Sequence, residues 1–66
     1  MTVSSVSNIT ASSPTSWQDA MEKGLERAAQ TLRGIQSAEV IAERARVERG
    51  EVKTYEVDLK IIFSLE

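Results

Sequence analysis

The apolar residues of this chain change their spacing at Gly34, and that switch fixes what the two halves can become. From Trp17 the apolar residues Met21, Leu25, Ala28, Ala29, Leu32 and Ile35 recur at steps of three and four, which predicts one apolar stripe on a helix. Gln18, Glu22, Lys23, Glu26, Arg27, Gln30 and Arg33 take the other side. The start is encoded twice: Pro14 suits a first turn after Ser13, and Ser16 can cap with Asp19 three residues on. Acids early and arginines late suit the helix dipole, and Gly34 is placed to end the helix in a left-handed conformation.

Beyond Gly34 the period becomes two. Tyr55, Val57, Leu59, Ile61, Phe63 and Leu65 alternate with Glu56, Asp58, Lys60, Ile62 and Ser64, which predicts a strand. Ala38, Val40 and Ala42 form a weaker alternating set ahead of it, and Arg49-Gly50 fits a tight turn between the two. A two-residue turn there makes Glu48 face Glu51 and places Ala42 opposite Val57, Val40 opposite Leu59 and Ala38 opposite Ile61. Both apolar sets then share one face, as a correct register requires. The polar opening from Thr2 to Thr15 reads as a weak strand, with Val3, Val6 and Ile9 its sizeable apolar residues.

One amphipathic helix shelters one face of such a sheet. The other face presents Ile41, Val47, Val52 and Ile62 among charged residues, more apolar surface than a solitary small domain leaves in water. A chain of 66 residues has room for one domain, taken as residues 1–66, and buries too little surface to be comfortably stable alone. It has no cysteine for disulfides and neither cysteine nor histidine for a usual zinc site, so self-association is the remaining ordinary supplement.

With 8 Lys and Arg against 10 Asp and Glu, no electrostatic footprint for nucleic acid or an anionic membrane stands out. No apolar run approaches a membrane span, and residues 1–13 do not read as a secretory signal, so the expected location is the cytoplasm. Catalysis finds no support: there is no histidine, no cysteine, no glycine-rich phosphate loop and no nucleophile beside an evident base. Ser12, Ser13 and Ser16 are explained as turn and cap residues.

The segments Ser13-Pro14-Thr15-Ser16-Trp17, Glu26-Arg27-Ala28-Ala29-Gln30-Thr31-Leu32-Arg33, Ala38-Glu39-Val40 and Ile61-Ile62-Phe63-Ser64-Leu65-Glu66 occur in an order and spacing that resembles the dodecin family. The resemblance runs from about Ser12 to the C-terminus. It implies an α+β fold of order β-α-β-β, a three-stranded antiparallel sheet wrapped around one helix and assembled as a hollow homododecamer. It also implies binding of flavins, riboflavin or FMN, in pairs near two-fold axes, for storage or protection from light.

Two family positions are substituted. The flavin-stacking tryptophan corresponds to Ser37, and a glutamine that hydrogen-bonds the flavin ring corresponds to Glu56. The first strand is more polar than the family norm, and Ala11 stands where a glycine is usual. By analogy with bases stacked on aromatic side chains, losing the indole removes about 1–3 kcal/mol, or roughly tenfold or more in affinity. An ionised Glu56 accepts hydrogen bonds but cannot donate them, as an amide does. Weak or absent flavin binding is therefore expected.

Two further readings concern charge and aromatics. Trp17 shares the helical phase of Met21 and Leu25, which makes it a core or helix-entry anchor in preference to a flavin platform. Tyr55 and Phe63 fall on the buried parity of the last strand. In the straight register Glu43 faces Glu56, with Glu39 and Asp58 on the same outward face; opposed carboxylates call for neutralisation. Calcium or magnesium bound by Glu39, Glu43, Glu56 and Asp58 would supply it. Arg44, Arg46 and Arg49 are the alternative partners, and a solvated charged face needs no ligand. Some dodecins without the stacking tryptophan look like ion binders, which adds to the cation reading.

Overall fold

A computed structural model describes residues 3–65. The element order is β1 (Ser4–Ser13), α1 (Trp17–Ala28), β2 (Ile35–Glu48) and β3 (Glu51–Ser64). The strands form one antiparallel sheet in the order β1-β3-β2, so the most apolar strand is central. This is the β-α-β-β arrangement expected. Thr2, at the start of the expected first strand, and Glu66, at the end of the C-terminal motif, lie outside the described residues.

The polar opening segment becomes a ten-residue strand because β3 supplies a complete antiparallel ladder for it, from Ser4 opposite Ser64 to Ser13 opposite Tyr55. Its own apolar content would not hold it. Ile9 and Ala11 point toward the helix, whereas Val6 and Thr10 point away. Val57, Leu59 and Ile61 form the buried core with Ala20 and Ala28, and Met21, Leu25, Leu32, Ile35 and Phe63 pack around them. Gly24 lets the helix approach the sheet closely: a Cβ there would stand 2.9 Å from that of Ala11 and 3.3 Å from Leu59 Cδ1.

Ser16 is the N-cap, and its Oγ accepts from the Asp19 N–H at 3.0 Å. Ser13, the other start candidate, is buried one turn upstream; its Oγ accepts from the Thr15 N–H and donates to Asp19 Oδ2. The helix ends earlier than its apolar stripe. Ala29 is the C-cap, tighter bonds run from the Gln30 N–H to the Arg27 carbonyl and from the Thr31 N–H to the Ala28 carbonyl, and Ile35 already opens β2. Leu32 and Ile35 keep the stripe's phase because they pack on the same core from outside the helix. Gly34 has the expected positive φ of 69°, but it serves the entry to β2, where its carbonyl accepts from the Ser64 N–H.

The Arg49-Gly50 turn is as expected, with φ values of 53° and 79° and Glu48 opposite Glu51. Both central residues in the left-handed region match the tight hairpin turn whose twist suits the flanking strands. Away from the turn the register departs from the straight pairing. Val47 pairs with Val52, but Arg46 pairs with Thr54, leaving Lys53 as an extra residue on β3. A second shift leaves Ile41 extra on β2, after which Val40 opposite Leu59 and Ala38 opposite Ile61 resume the expected pairing; a further irregularity at Gln36 precedes Ile35 opposite Phe63. Between the two shifts Ala42 faces Asp58 and not Val57, and Glu43 faces Val57 and not Glu56.

The molecule measures 52 × 19 × 13 Å, whereas a 12-residue helix is only about 18 Å long. The helix packs on β1 and β3, and the far end of the hairpin extends beyond it. Val47 and Val52 near the turn are exposed, as are Val6 and Ile41 on the face away from the helix.

Candidate functional site

The face of the sheet opposite the helix carries Ser37, Glu39, Glu56 and Asp58, four of the five site residues singled out from sequence. Because side chains alternate along a strand, the even-numbered positions of β3 (Glu56, Asp58, Lys60 and Ile62) point there, away from buried Val57, Leu59 and Ile61. The two register shifts bring Arg44 and Arg46 of β2 to the same face, opposite Glu56 and Thr54. An inserted residue reverses which residues of a strand face which way, so the shift at Ile41 turns the arginines outward and the shift at Lys53 restores parity near the turn.

These side chains close a network across three strands. Arg44 Nε donates to Glu56 Oε1 at 2.9 Å, while its Nη1 and Nη2 donate to the two oxygens of Asp58 at 3.0 and 3.1 Å. Arg46 Nε donates to Glu56 Oε2 at 2.9 Å. Thr10 of β1 completes it by donating to Asp58 Oδ1 at 2.9 Å. The Arg46 bond, then that of Arg44, holds the Glu56 carboxyl below its ordinary range. The Arg44 bond, then the Thr10 hydroxyl, does the same for Asp58. Both guanidiniums are correspondingly held more firmly protonated. The Glu56 side chain is only 15% exposed, covered by arginines that are themselves 48% and 73% exposed.

The four carboxylates considered for a cation are therefore not gathered. Glu56 and Asp58 share Arg44, Glu43 lies across from Val57 on the other face, and Glu39 lies opposite Lys60. Among the described residues no three acidic groups stand close enough together to hold a metal ion. The arginine partners take the neutralising role.

Ser37 and Glu56 do not meet within one chain. Ser37 pairs with Ile62, six residues along β3 from Glu56, which is about 20 Å of extended strand. Beside Ser37 the outward face is apolar, with Val6 opposite Ile62. A depression of about 620 Å³ on this face is bordered by Val6, Asn8, Thr10, Ile41, Arg44 and Lys60. On the helix side, a groove of about 420 Å³ between α1 and β1 is lined by Ile9, Ala11, Gly24 and Leu32, with Lys23 and Arg27 at its rim.

Trp17 is a helix-entry anchor and not a core residue. It remains 38% exposed, packs edge-on against Tyr55 with ring centroids 4.9 Å apart, and donates its indole N–H to the Arg44 carbonyl at 3.0 Å. Sequence periodicity placed its helical phase but missed this bond, because a backbone carbonyl 27 residues away leaves no mark on local pattern. Arg44 and Arg46 were legible only as one alternative, since their facing depends on register shifts that the apolar pattern does not encode.

The geometry has close counterparts. The family model described as Dodecin matches residues 3–66. A dodecin from Streptomyces davaonensis superposes with a TM-score of 0.93 at 29% identity, covering 98% of this chain and 96% of that one. Dodecin from Streptomyces coelicolor gives 0.93 at 34% identity, covering 98% and 93%. The calcium-chelating immunodominant antigen of Mycobacterium tuberculosis, a calcium dodecin described with a novel calcium-binding site, gives 0.84 at 32% identity, covering 97% and 91%. No curated protein matches the chain significantly. Among the described residues no helix is long and apolar enough to cross a membrane.

Proposed function

The chain belongs to the dodecin family, and from that premise we propose that residues 1–66 form one domain of a homo-oligomeric, dodecameric shell that binds and stores a small ligand without catalysing its conversion. The observation that carries the reading is the separation of Ser37 from Glu56, about 20 Å along one sheet. A ligand the size of a flavin ring cannot span it, so a site using both positions needs two chains. The uncovered outward face, with Val6, Ile41 and Ile62, supports burial against further copies.

Flavin is the inherited ligand class, and its affinity here is reduced. Ser37 offers no stacking surface, and both Glu56 oxygens already accept from Arg44 and Arg46, so a flavin edge would compete with two charge-assisted bonds. Light scattering is expected to show a mass near twelve subunits, and riboflavin fluorescence is expected to remain unquenched at micromolar protein. Stoichiometric quenching at that concentration would overturn the flavin part; a monomeric mass would overturn the shell and with it every site between chains.

The second reading is a cation-binding dodecin, favoured by the calcium-chelating relative. In it Glu39, Glu43, Glu56 and Asp58 act with copies from neighbouring chains. A calcium- or magnesium-dependent rise in melting temperature, in a preparation that is colourless as purified, would select it over flavin.

A further inference from the structure

The hairpin has two candidate registers. In the straight one every position from the turn to Ala38 pairs without insertion, Ala42 and Val40 both meet apolar partners on the core side, and no residue is spent on a bulge. In the observed one, over the same span from the turn to Ala38, Ile41 and Lys53 are extra, and within it only residues 42–46 against 54–58 are displaced by one. The ends agree in both, since Glu48 meets Glu51 and Val40 meets Leu59 either way. The choice therefore rests on contacts made within that stretch.

On the outward face those contacts are the salt bridges of Arg44 and Arg46. On the helix side they come from Trp17. Its indole N–H reaches the Arg44 carbonyl and its ring packs on Tyr55, which lies opposite Ala45. A one-residue slip carries the Arg44 carbonyl away from the indole and turns Ala45 from the Tyr55 side to the outward face. The arginines of that network are 48% and 73% exposed and their pairing is screened by salt, so a contact on the helix side adds to the choice of register.

We propose that Trp17 is a positioning residue for the hairpin register: bonded to the Arg44 carbonyl from the helix N-terminus, it selects the bulged pairing that turns Arg44 and Arg46 onto the face opposite the helix. This goes beyond the ligand-binding reading and requires no ligand. It also gives the exposed tryptophan a task that core packing does not.

The test traps the register chemically. The protein has no cysteine, so Ala45→Cys with Thr54→Cys introduces a clean pair that leaves Trp17, both arginines, Glu56 and Asp58 intact. In the bulged register the two positions point to opposite faces, beyond disulfide reach; in the straight register they are directly opposed. With Trp17 present, slow disulfide formation is expected in the folded protein. With Trp17→Phe, formation is expected to accelerate about fivefold or more, the population change that follows from losing one neutral hydrogen bond. Equal rates in the two backgrounds, or rapid closure with Trp17 present, would overturn the proposal. Should Trp17→Phe melt too early to compare, the benzothiophene isostere at position 17 keeps ring and volume and removes only the N–H. It is expected to accelerate closure likewise, and its failure to do so counts equally against the idea. Because the readout is pairing within one chain, a failed riboflavin or calcium titration leaves this result standing.

Discussion

Arg44 stands directly opposite Glu56 across β2 and β3, its Nε 2.9 Å from Glu56 Oε1. The same guanidinium reaches Asp58 with both terminal nitrogens, so one side chain neutralises two carboxylates two residues apart on β3. A bidentate fork on one acid and a single bond to the next is geometry that arginine's planar group supplies and lysine's ammonium does not.

Stability should therefore fall on acidification in a defined window. Glu56 and Asp58 both have folded pKa values below their ordinary 4.5 and 3.8. A carboxylate of that kind stabilises the fold fully above its unfolded value, and the contribution is lost as pH falls through the folded value. Urea midpoints are expected to be flat from pH 7 to about 5 and to drop below about 4.5. Glu56→Gln should remove part of that drop, and added salt should shrink it further. A midpoint that rises on acidification would contradict the assignment.

Gly24→Ala should destabilise the protein by about 1–3 kcal/mol, because the new methyl meets Ala11 Cβ at 2.9 Å and Leu59 Cδ1 at 3.3 Å across a packed helix–sheet contact. Adding Ala11→Gly removes the closer of the two and should restore part of the loss. Thermal melts of the single and double variants check the coupling directly.

At the hairpin turn Arg49 has φ 53° and Gly50 φ 79°. Gly50→Ala should cost about 1 kcal/mol through backbone strain alone, since nothing lies within 4 Å of the added methyl. Arg49→Asn should raise the melting temperature, because asparagine tolerates the left-handed region better than arginine. Identical melting curves for Arg49→Asn and wild type would show that the turn does not limit stability.

Restoring the family's residues should restore its ligand. The double variant Ser37→Trp with Glu56→Gln is expected to quench riboflavin at least about tenfold more tightly than wild type, the gain coming from a stacking platform and an amide freed from charge pairing. Ser37→Trp alone should recover most of it. No change in either variant would place the determinant of flavin binding at other positions of the chain.

The sequence by itself determined the order of the elements, the core-facing parity of β3, a helix start between Ser13 and Ser16 and the Arg49-Gly50 turn. These follow from local chemistry: a period of 3.6 or 2, a hydroxyl beside free N–H groups, and a turn that needs positive φ. The first strand was faint because Ser4–Ser13 is held by pairing with β3 more than by its own apolar content. The helix end was misplaced because Leu32 and Ile35 keep the helical phase while packing on the core from the connection and from β2.

Only the tertiary structure decided the site. The apolar pattern is satisfied at Val40–Leu59 and Ala38–Ile61 whether or not the hairpin shifts between Ile41 and Lys53, so it could not tell Glu43 opposite Glu56 from Arg44 opposite Glu56. That choice is made by charge pairing across three strands and by an indole reaching a carbonyl 27 residues away. Such contacts come into being only when distant segments are already side by side, and for that reason no local spacing foretells them.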